Sequence, residues 1–347
     1  MTAAKKKNSR RKQARFRSSR RKRIRNTVLL LLLLVVLGGT GIGAIYVLRN
    51  GTVFDKLEDA YVASREFSGG ITDLDSLRAD GFAKNLCVVV SDVPMDGVSL
   101  GENQKGLLLD LDDRKVLYSK QALQKVYPAS ITKIMTAMLA LKYGNMDDVV
   151  TITQENLNLE EGSQVCGFWA GDQVTMDQLL HCLLVYSGND AAAAIAEHVG
   201  GYTDGFVEMM NRYARALGCT GTHFTNPHGL QDENHYTTPY DIYLMLKEAL
   251  NYPEFTQITQ SGSYTVEYTH ADGSSASTTL LATDHYLTGE ATPPKNVTIL
   301  GGKTGTTDNA GNCLALLSQN AYGKPYISIV MGASTKDELY EQMSSLL

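Results

Sequence analysis

A serine hydroxyl is a poor nucleophile at neutral pH unless a base stands beside it. The segment Pro128-Ala129-Ser130-Ile131-Thr132-Lys133 supplies both groups. Proline suits the first turn of a helix and serine its cap. The apolar spacing of Ile131, Ile134, Met135, Met138, Leu139 and Leu141 predicts a helix from about Ser130 to Tyr143, ended by Gly144-Asn145. A separation of three residues puts Ser130 and Lys133 on one helical face, one turn apart. If protein surrounds Lys133, desolvation and neighbouring cations lower its pKa towards the neutral amine, a usable base. A capped amphipathic helix with a solvated lysine would carry the same letters, so this motif alone decides nothing.

Two further segments carry groups of the right kind. Ser187-Gly188-Asn189-Asp190 lies between an apolar helical stretch and an alanine-rich one; taken alone it is a good loop and N-cap. Lys303-Thr304-Gly305-Thr306 ends an apolar run and follows Gly301-Gly302. Glycine in a strand admits a ligand or a second backbone, and a lysine with two threonines offers donors suited to a carboxylate. The three motifs stand 57 and then 116 residues apart. Their order, S-x-x-K then S-x-N then K-T-G, is the set of penicillin-binding proteins and class A β-lactamases.

The elements that must position these groups follow from periodicity. Cys87-Val88-Val89-Val90 is an apolar strand candidate, and Gly106–Leu111 with Lys115–Ser119 predicts a hairpin around Asp112-Asp113-Arg114. Residues 175–186, 189–199, 203–217 and 238–250 show helical spacing between Gly or Pro breaks. Strands return after Ser261: Val297–Leu300 leads into the K-T-G motif, and Asn312–Ser318 pairs with Tyr326–Met331 across a turn at 319–324. A last helix begins near Thr335. Strands at both ends and helices between them predict an α+β fold, with one antiparallel sheet joining the two ends of the chain.

Charge divides the 347-residue chain sharply. Residues 1–27 hold 13 of the 32 Lys and Arg and no acid, so the other 19 face 37 acidic residues and the remainder carries -18. That excess of acid argues against nucleic acid as a partner. Residues 27–48 are 22 without a charge, including six consecutive leucines from Leu29 to Leu34. As a helix they would reach about 33 Å, enough to cross a bilayer core. We therefore expect a basic cytoplasmic arm (1–26), a membrane-spanning helix (27–48), a polar stalk (49–82) and a catalytic domain (83–347) held outside. A cleaved signal peptide, with small residues at Gly41–Ala44, exports the same domain. Cys87, Cys166, Cys182, Cys219 and Cys313 are widely spaced and odd in number, which is neither a disulfide framework nor a close-set metal pattern. His223, His228 and His235 lie near one another but form no H-E-x-x-H, so no metal or other cofactor is expected.

Over about residues 86–340 the sequence resembles the low-molecular-weight penicillin-binding proteins, the serine D-alanyl-D-alanine carboxypeptidases of the SxxK acyltransferase group. Val126–Thr136, Ser187–Ala192, Phe224-Thr225-Asn226-Pro227-His228-Gly229-Leu230 and His235-Tyr236-Thr237-Thr238 all look like segments of that family. The resemblance implies a β-lactamase/DD-peptidase-like fold and a nucleophilic Ser130 with Lys133 as its base. It further implies that Ser187 relays a proton, that Asn189 holds the substrate amide or orients Lys133, and that Lys303, Thr304, Gly305 and Thr306 form the carboxylate site. Backbone N–H groups of Ser130 and Thr306 would make the oxyanion hole. The implied substrate is the D-Ala-D-Ala end of peptidoglycan stem peptides, and β-lactams are the implied covalent inhibitors. Several members carry a β-rich domain after the catalytic one; here we expect none, with the N-terminal segment as the anchor. A β-lactamase or a penicillin-sensing receptor domain remains the alternative. The extra E-x-x-L-N glutamate of class A β-lactamases has only Glu248-Ala249-Leu250-Asn251 as a near match, one residue short, and it reads as helix surface.

Overall fold

The computed structural model describes residues 85–347. The expected basic arm, membrane span and stalk lie outside the described residues, and among the described residues no helix is long and apolar enough to cross a membrane.

The chain first makes a hairpin, β1 (Lys105–Asp110) and β2 (Lys115–Lys120). The turn between them is fixed by Asp110, whose Oδ1 accepts from the Asp113 N–H at 2.9 Å, and Arg114 takes a left-handed φ of 54°. Next come a short 3-10 turn (Ala129–Thr132) and helix α1 (Lys133–Tyr143). Residues 133–140 are all buried, so α1 is a central helix covered on every side. Strand β3 (Val149–Thr151), strand β4 (Gln173–Thr175) and helix α2 (Met176–His181) lead to a π turn at Cys182–Tyr186. Helices α3 (Asn189–Gly200), α4 (Thr203–Ala216), α5 (Pro239–Ala249) and α6 (Pro253–Thr259) complete the helical region. Strands β5 (Ser263–Thr269) and β6 (Ser275–Leu281) precede a one-turn helix α7 (His285–Thr288). The chain closes with β7 (Val297–Thr307), β8 (Gly311–Asn320), β9 (Pro325–Ala333) and α8 (Lys336–Leu346).

The larger sheet has the order β2-β1-β9-β8-β7 and is antiparallel throughout. Strand β1 therefore pairs with β9, from Lys105 opposite Met331 to Asp110 opposite Tyr326, and the expected sheet joins the first and last strands of the described residues. Helix α8 covers one face through Leu339, Met343 and Leu346 against Leu108, Leu314, Leu316 and Val330. Helix α5 packs on β1, β8 and β9.

Three local expectations change. Residues 87–90 form no strand: Cys87 is anchored by its N–H to Tyr243 Oη at 2.9 Å, Val90 is 85% exposed, and a single bridge joins Val93 to Ser119. A second sheet, β3-β4-β5-β6, stands within the chain's middle; its first two strands have three residues each, too few for a period to show. The helix expected over 175–186 stops at His181 and widens into the π turn, because Ser187 must enter a left-handed conformation at φ 70°.

Leu316 lies fully buried between β7, β9 and α8. Leu316→Ala should lower unfolding free energy by about 3 kcal/mol, whereas Leu281→Ala, at a site 63% exposed, should change it by about 0.5 kcal/mol or less. Urea unfolding of both variants checks the contrast.

Candidate active site

The turn that carries Ser130 is strained and closely packed. Ala129 has φ 47°, an uncommon conformation for a residue with a side chain and one that clusters at functional sites. Two backbones press against this turn. A Cβ at Gly229, whose φ is +91°, would lie 1.9 Å from the Ala129 carbonyl oxygen. A Cβ at Gly305 would lie 3.0 Å from both the Pro128 oxygen and the Ser130 nitrogen. Glycine at these two positions lets the 226–229 loop and strand β7 reach Ser130.

Lys133 Nζ is 2.9 Å from Ser130 Oγ, 2.7 Å from Asn189 Oδ1 and 2.8 Å from the His228 carbonyl oxygen. The lysine is fully buried. Burial first, and then the positive charge of Lys303, hold its pKa well below that of an ordinary amine. Asn189 Oδ1 and the His228 carbonyl can only accept hydrogen bonds. A neutral Lys133 spends its two N–H bonds on them, and its lone pair is left towards the Ser130 hydroxyl. That arrangement can remove the proton of Ser130.

Lys303 Nζ donates to Ser187 Oγ at 2.9 Å and to the Thr304 carbonyl at 3.0 Å. Burial lowers its pKa to about 7, against the opposing pull of the Asp284 carboxylate. The two buried lysines thus serve two serines, one each. Thr304 Oγ1 is 2.5 Å from Thr283 Oγ1, and Thr306 Oγ1 donates to Asn312 Oδ1 at 3.1 Å. Ser130, Ser187, Asn189, Thr304, Gly305 and Thr306 all line one cleft of about 330 Å³, so the motif residues singled out in the sequence are gathered at one place.

Several contacts of this site carry no signal in the sequence. Gly162, Ser163 and Gln164 form part of the cleft wall; Gln164 accepts from the Asn189 N–H through its carbonyl at 2.8 Å and donates through its side chain to the Tyr186 carbonyl. Asp190, fully buried, receives the N–H groups of Cys166 at 2.8 Å and Gly167 at 3.3 Å. Thr283 and Asp284 reach Thr304 and Lys303 from the start of α7. These contacts join segments far apart in the chain, and no local spacing encodes them. The 226–230 segment does carry a signal, the Asn-Pro-His-Gly-Leu run, and Asn226 Oδ1 closes its turn on the Gly229 N–H at 2.7 Å.

The three grouped histidines have separate work. His228 is held neutral, its pKa lowered to about 3 by burial and by Lys133, and its Nδ1 accepts from the Leu230 N–H. His235, lowered to about 4 by burial, accepts the Thr225 N–H at Nδ1, which assigns its proton to Nε2 and the bond to Thr132 Oγ1 at 2.8 Å. His223 Nδ1 donates to the Asn234 carbonyl. Among the described residues no three metal-binding side chains group together. Glu248 accepts from Tyr213 Oη at 2.7 Å and Asn251 Nδ2 at 2.9 Å, which commits its carboxylate to the end of α5.

A chain-end sheet under a helical region, with a serine–lysine pair facing a second serine–lysine pair, defines the DD-peptidase fold of penicillin-binding proteins. The chain is similar to the crystal structure of the Streptomyces K15 DD-transpeptidase, with TM-score 0.65 and 26% identity over 74% of this chain and 97% of that one. A sequence profile described as D-alanyl-D-alanine carboxypeptidase matches residues 101–335, and the chain belongs to that family. It is 35% identical over 251 residues to D-alanyl-D-alanine carboxypeptidase DacF of Bacillus subtilis, covering 71% of this chain and 61% of that one. It is 32% identical over 243 residues to D-alanyl-D-alanine carboxypeptidase DacA of Haemophilus influenzae, covering 67% and 57% respectively. The chain therefore spans about three fifths of the length of these curated relatives.

The electrostatics predict a pH profile. A base role needs Lys133 neutral, so acylation of Ser130 falls as pH drops through the depressed pKa of Lys133. Lys303 is a cation only below its pKa of about 7, so the alkaline limb marks its deprotonation. Asp284→Asn removes the charge that holds this pKa up; the alkaline limb should move to lower pH while the fold, read by circular dichroism, stays intact. An unmoved limb in stopped-flow acylation would contradict the link between Asp284 and Lys303.

Proposed function

We propose that the chain is a membrane-anchored, serine-type D-alanyl-D-alanine carboxypeptidase that trims terminal D-alanine from peptidoglycan stem peptides outside the cytoplasm. The observation that carries this reading is the three-fold setting of the buried Lys133 amine, between Ser130 Oγ and two obligate acceptors. Lys133 takes the Ser130 proton as Oγ bonds to the carbonyl carbon of the penultimate D-alanine. Charge grows on the carbonyl oxygen, where the backbone N–H groups of Ser130 and Thr306 stabilise it. The C–N bond then breaks; Ser187, backed by Lys303, relays the proton that Lys133 took to the departing amine, which leaves Lys133 neutral again as D-alanine departs. Lys303, Thr304 and Thr306 bind its carboxylate. Water, deprotonated by Lys133, attacks the acyl carbon, and the proton returns to Ser130 Oγ as the ester bond breaks. Asn189 fixes Lys133 through its Oδ1 and can use its amide N–H on the substrate. A β-lactam mimics the D-Ala-D-Ala end and acylates Ser130. The commitment of Glu248 to Tyr213 and Asn251 disfavours the β-lactamase alternative, since it leaves no free carboxylate of the class A kind in that segment.

A fluorescent penicillin should label the purified chain, and incubation with a peptide ending in D-Ala-D-Ala should release free D-alanine. Ser130→Ala should abolish labelling, and Lys133→Ala should slow it about 10³-fold. Labelling of Ser130→Ala at the wild-type level would sink the assignment. Fast penicillin turnover without D-alanine would identify a β-lactamase instead, and stable acylation without D-alanine a sensor. For the anchor, the chain should stay in the membrane fraction through a high-salt wash, and deleting residues 1–49 should free it; release of the full-length chain by salt would rule the anchor out.

A further inference from the structure

The chain has a single tryptophan, Trp169, and the mechanism above does not use it. The ring is 67% exposed, yet it is firmly held. One face of the indole is covered by the imidazole of His270, with ring centroids 4.6 Å apart and planes 19° from parallel. Asp172, itself 1% exposed, sets both residues of the stack: its Oδ2 accepts the Trp169 N–H at 2.8 Å, and its Oδ1 accepts from His270 Nδ1 at 2.7 Å. The same turn is pinned to Ile152 by two backbone hydrogen bonds of 2.8 Å, from the Gly171 N–H and to the Asp172 carbonyl. Behind His270, Tyr268 and Phe168 continue the cluster edge to face. A preorganised aromatic face left in water forgoes burial energy, and tryptophan presented in this way is a frequent anchor of binding surfaces.

The stack has a definite place relative to the cleft. His270 follows β5, whose ladder with β6 runs from Thr269 opposite Ser275 to Ser263 opposite Leu281, about 20 Å at the rise of a strand. Two residues past Leu281, Thr283 meets Thr304 of the carboxylate site. On the other side, the cleft wall leads straight to the stack: Gly167, two residues before Trp169, gives its N–H to Asp190 beside Asn189. An extended peptide of five residues spans about 17 Å. A stem peptide with its terminal carboxylate at Thr304 therefore carries its opposite, sugar-bearing end about as far as Trp169. Glu267 and Asp272 are exposed on the same hairpin, which disfavours anionic polymers and anionic lipid headgroups. A neutral pyranose ring, by contrast, offers an apolar C–H face that stacks on an indole. We propose that the Trp169–His270 stack is a saccharide platform, which binds an N-acetylhexosamine ring of the glycan strand while the attached stem peptide enters the cleft. The platform rests on the proposed activity and adds the sugar as a second recognised part of the same substrate.

The test separates the two. The full chain is purified in a sugar-free detergent, and chitotetraose, a neutral tetramer of N-acetylglucosamine, is titrated in while tryptophan emission is followed. With one tryptophan in the chain, the signal belongs to Trp169. A saturable blue shift is expected. Trp169→Ala should lose the sugar, read by saturation-transfer NMR of chitotetraose, and Trp169→Phe should keep it. The kcat/KM for D-alanine release should be about tenfold higher for a disaccharide-linked pentapeptide than for the free pentapeptide. Trp169→Ala should bring the two values together by slowing only the disaccharide-linked substrate. Emission unmoved by chitotetraose, binding that survives Trp169→Ala, or equal kcat/KM for the two substrates in the wild type would overturn the proposal. An emission shift caused by phosphatidylglycerol vesicles and not by the sugar would assign the ring to the membrane and overturn it as well. No D-alanine from either substrate would indict the proposed activity alone, since the sugar titration reads the platform without turnover.

Discussion

An amine without water around it is the constraint on which the rest of this structure depends. Burying a charged lysine costs several kcal/mol unless partners replace its hydration, and Lys133 is wholly enclosed. Three separate parts of the chain must therefore arrive at one nitrogen: the turn at Ser130, the start of α3 at Asn189, and the 226–229 loop through the His228 carbonyl. The same enclosure that demands these partners favours the neutral amine, so one physical fact yields both architecture and reactivity. A second buried lysine close enough to repel the first adds to the effect.

That convergence explains the close approaches around Ser130. Strand β7 and the 226–229 loop both touch the turn at glycines, where any side chain would meet backbone atoms. The left-handed conformations of Ala129 and Ser187 are the local cost of aiming two hydroxyls at two lysines, and each is held by rigid elements on both sides, as strained residues at functional sites require. Strand β7 belongs to a sheet that the first and last strands of the domain close together. Ser130 therefore rests on long-range pairing, although its helix is local.

Much of this was legible from residue order alone, and the reason is chemical. Ser130, Lys133, Ser187, Asn189, Lys303, Thr304, Gly305 and Thr306 each sit in a short motif whose local conformation, helix start, loop cap or strand end, is written in neighbouring residues. The hairpins and the long helices α3, α4 and α5 follow from period and breaks. What stayed hidden depends on contact between distant segments. Nothing near Gln164 says that its carbonyl holds Asn189, and nothing near Asp190 says that it fastens Cys166. Strands β3 and β4 are too short to display alternation. Residues 87–90 read as an apolar run and alternate in burial, Cys87 and Val89 inward with Val88 and Val90 outward, yet they find no partner strand, because pairing depends on what lies alongside.

The last helix shows how far the site's dependence reaches. Asp284 caps α7, accepting the Tyr286 N–H and the Tyr340 hydroxyl at its Oδ1, while its Oδ2 is buried with no hydrogen-bond partner. An unpartnered carboxylate oxygen in protein is costly, and burial raises the pKa of Asp284 accordingly. The charge of Lys303 acts in the opposite direction on it, as Asp284 does on Lys303. Each group thus offsets part of the other's desolvation. Tyr340 belongs to α8, and Tyr286 Oη also bonds Ser344 of that helix at 2.7 Å. The helix that covers the outer face of the sheet is consequently tied, through one tyrosine and one aspartate, to the protonation of the lysine that serves Ser187. The packing of α8 and the chemistry of the cleft cannot vary independently.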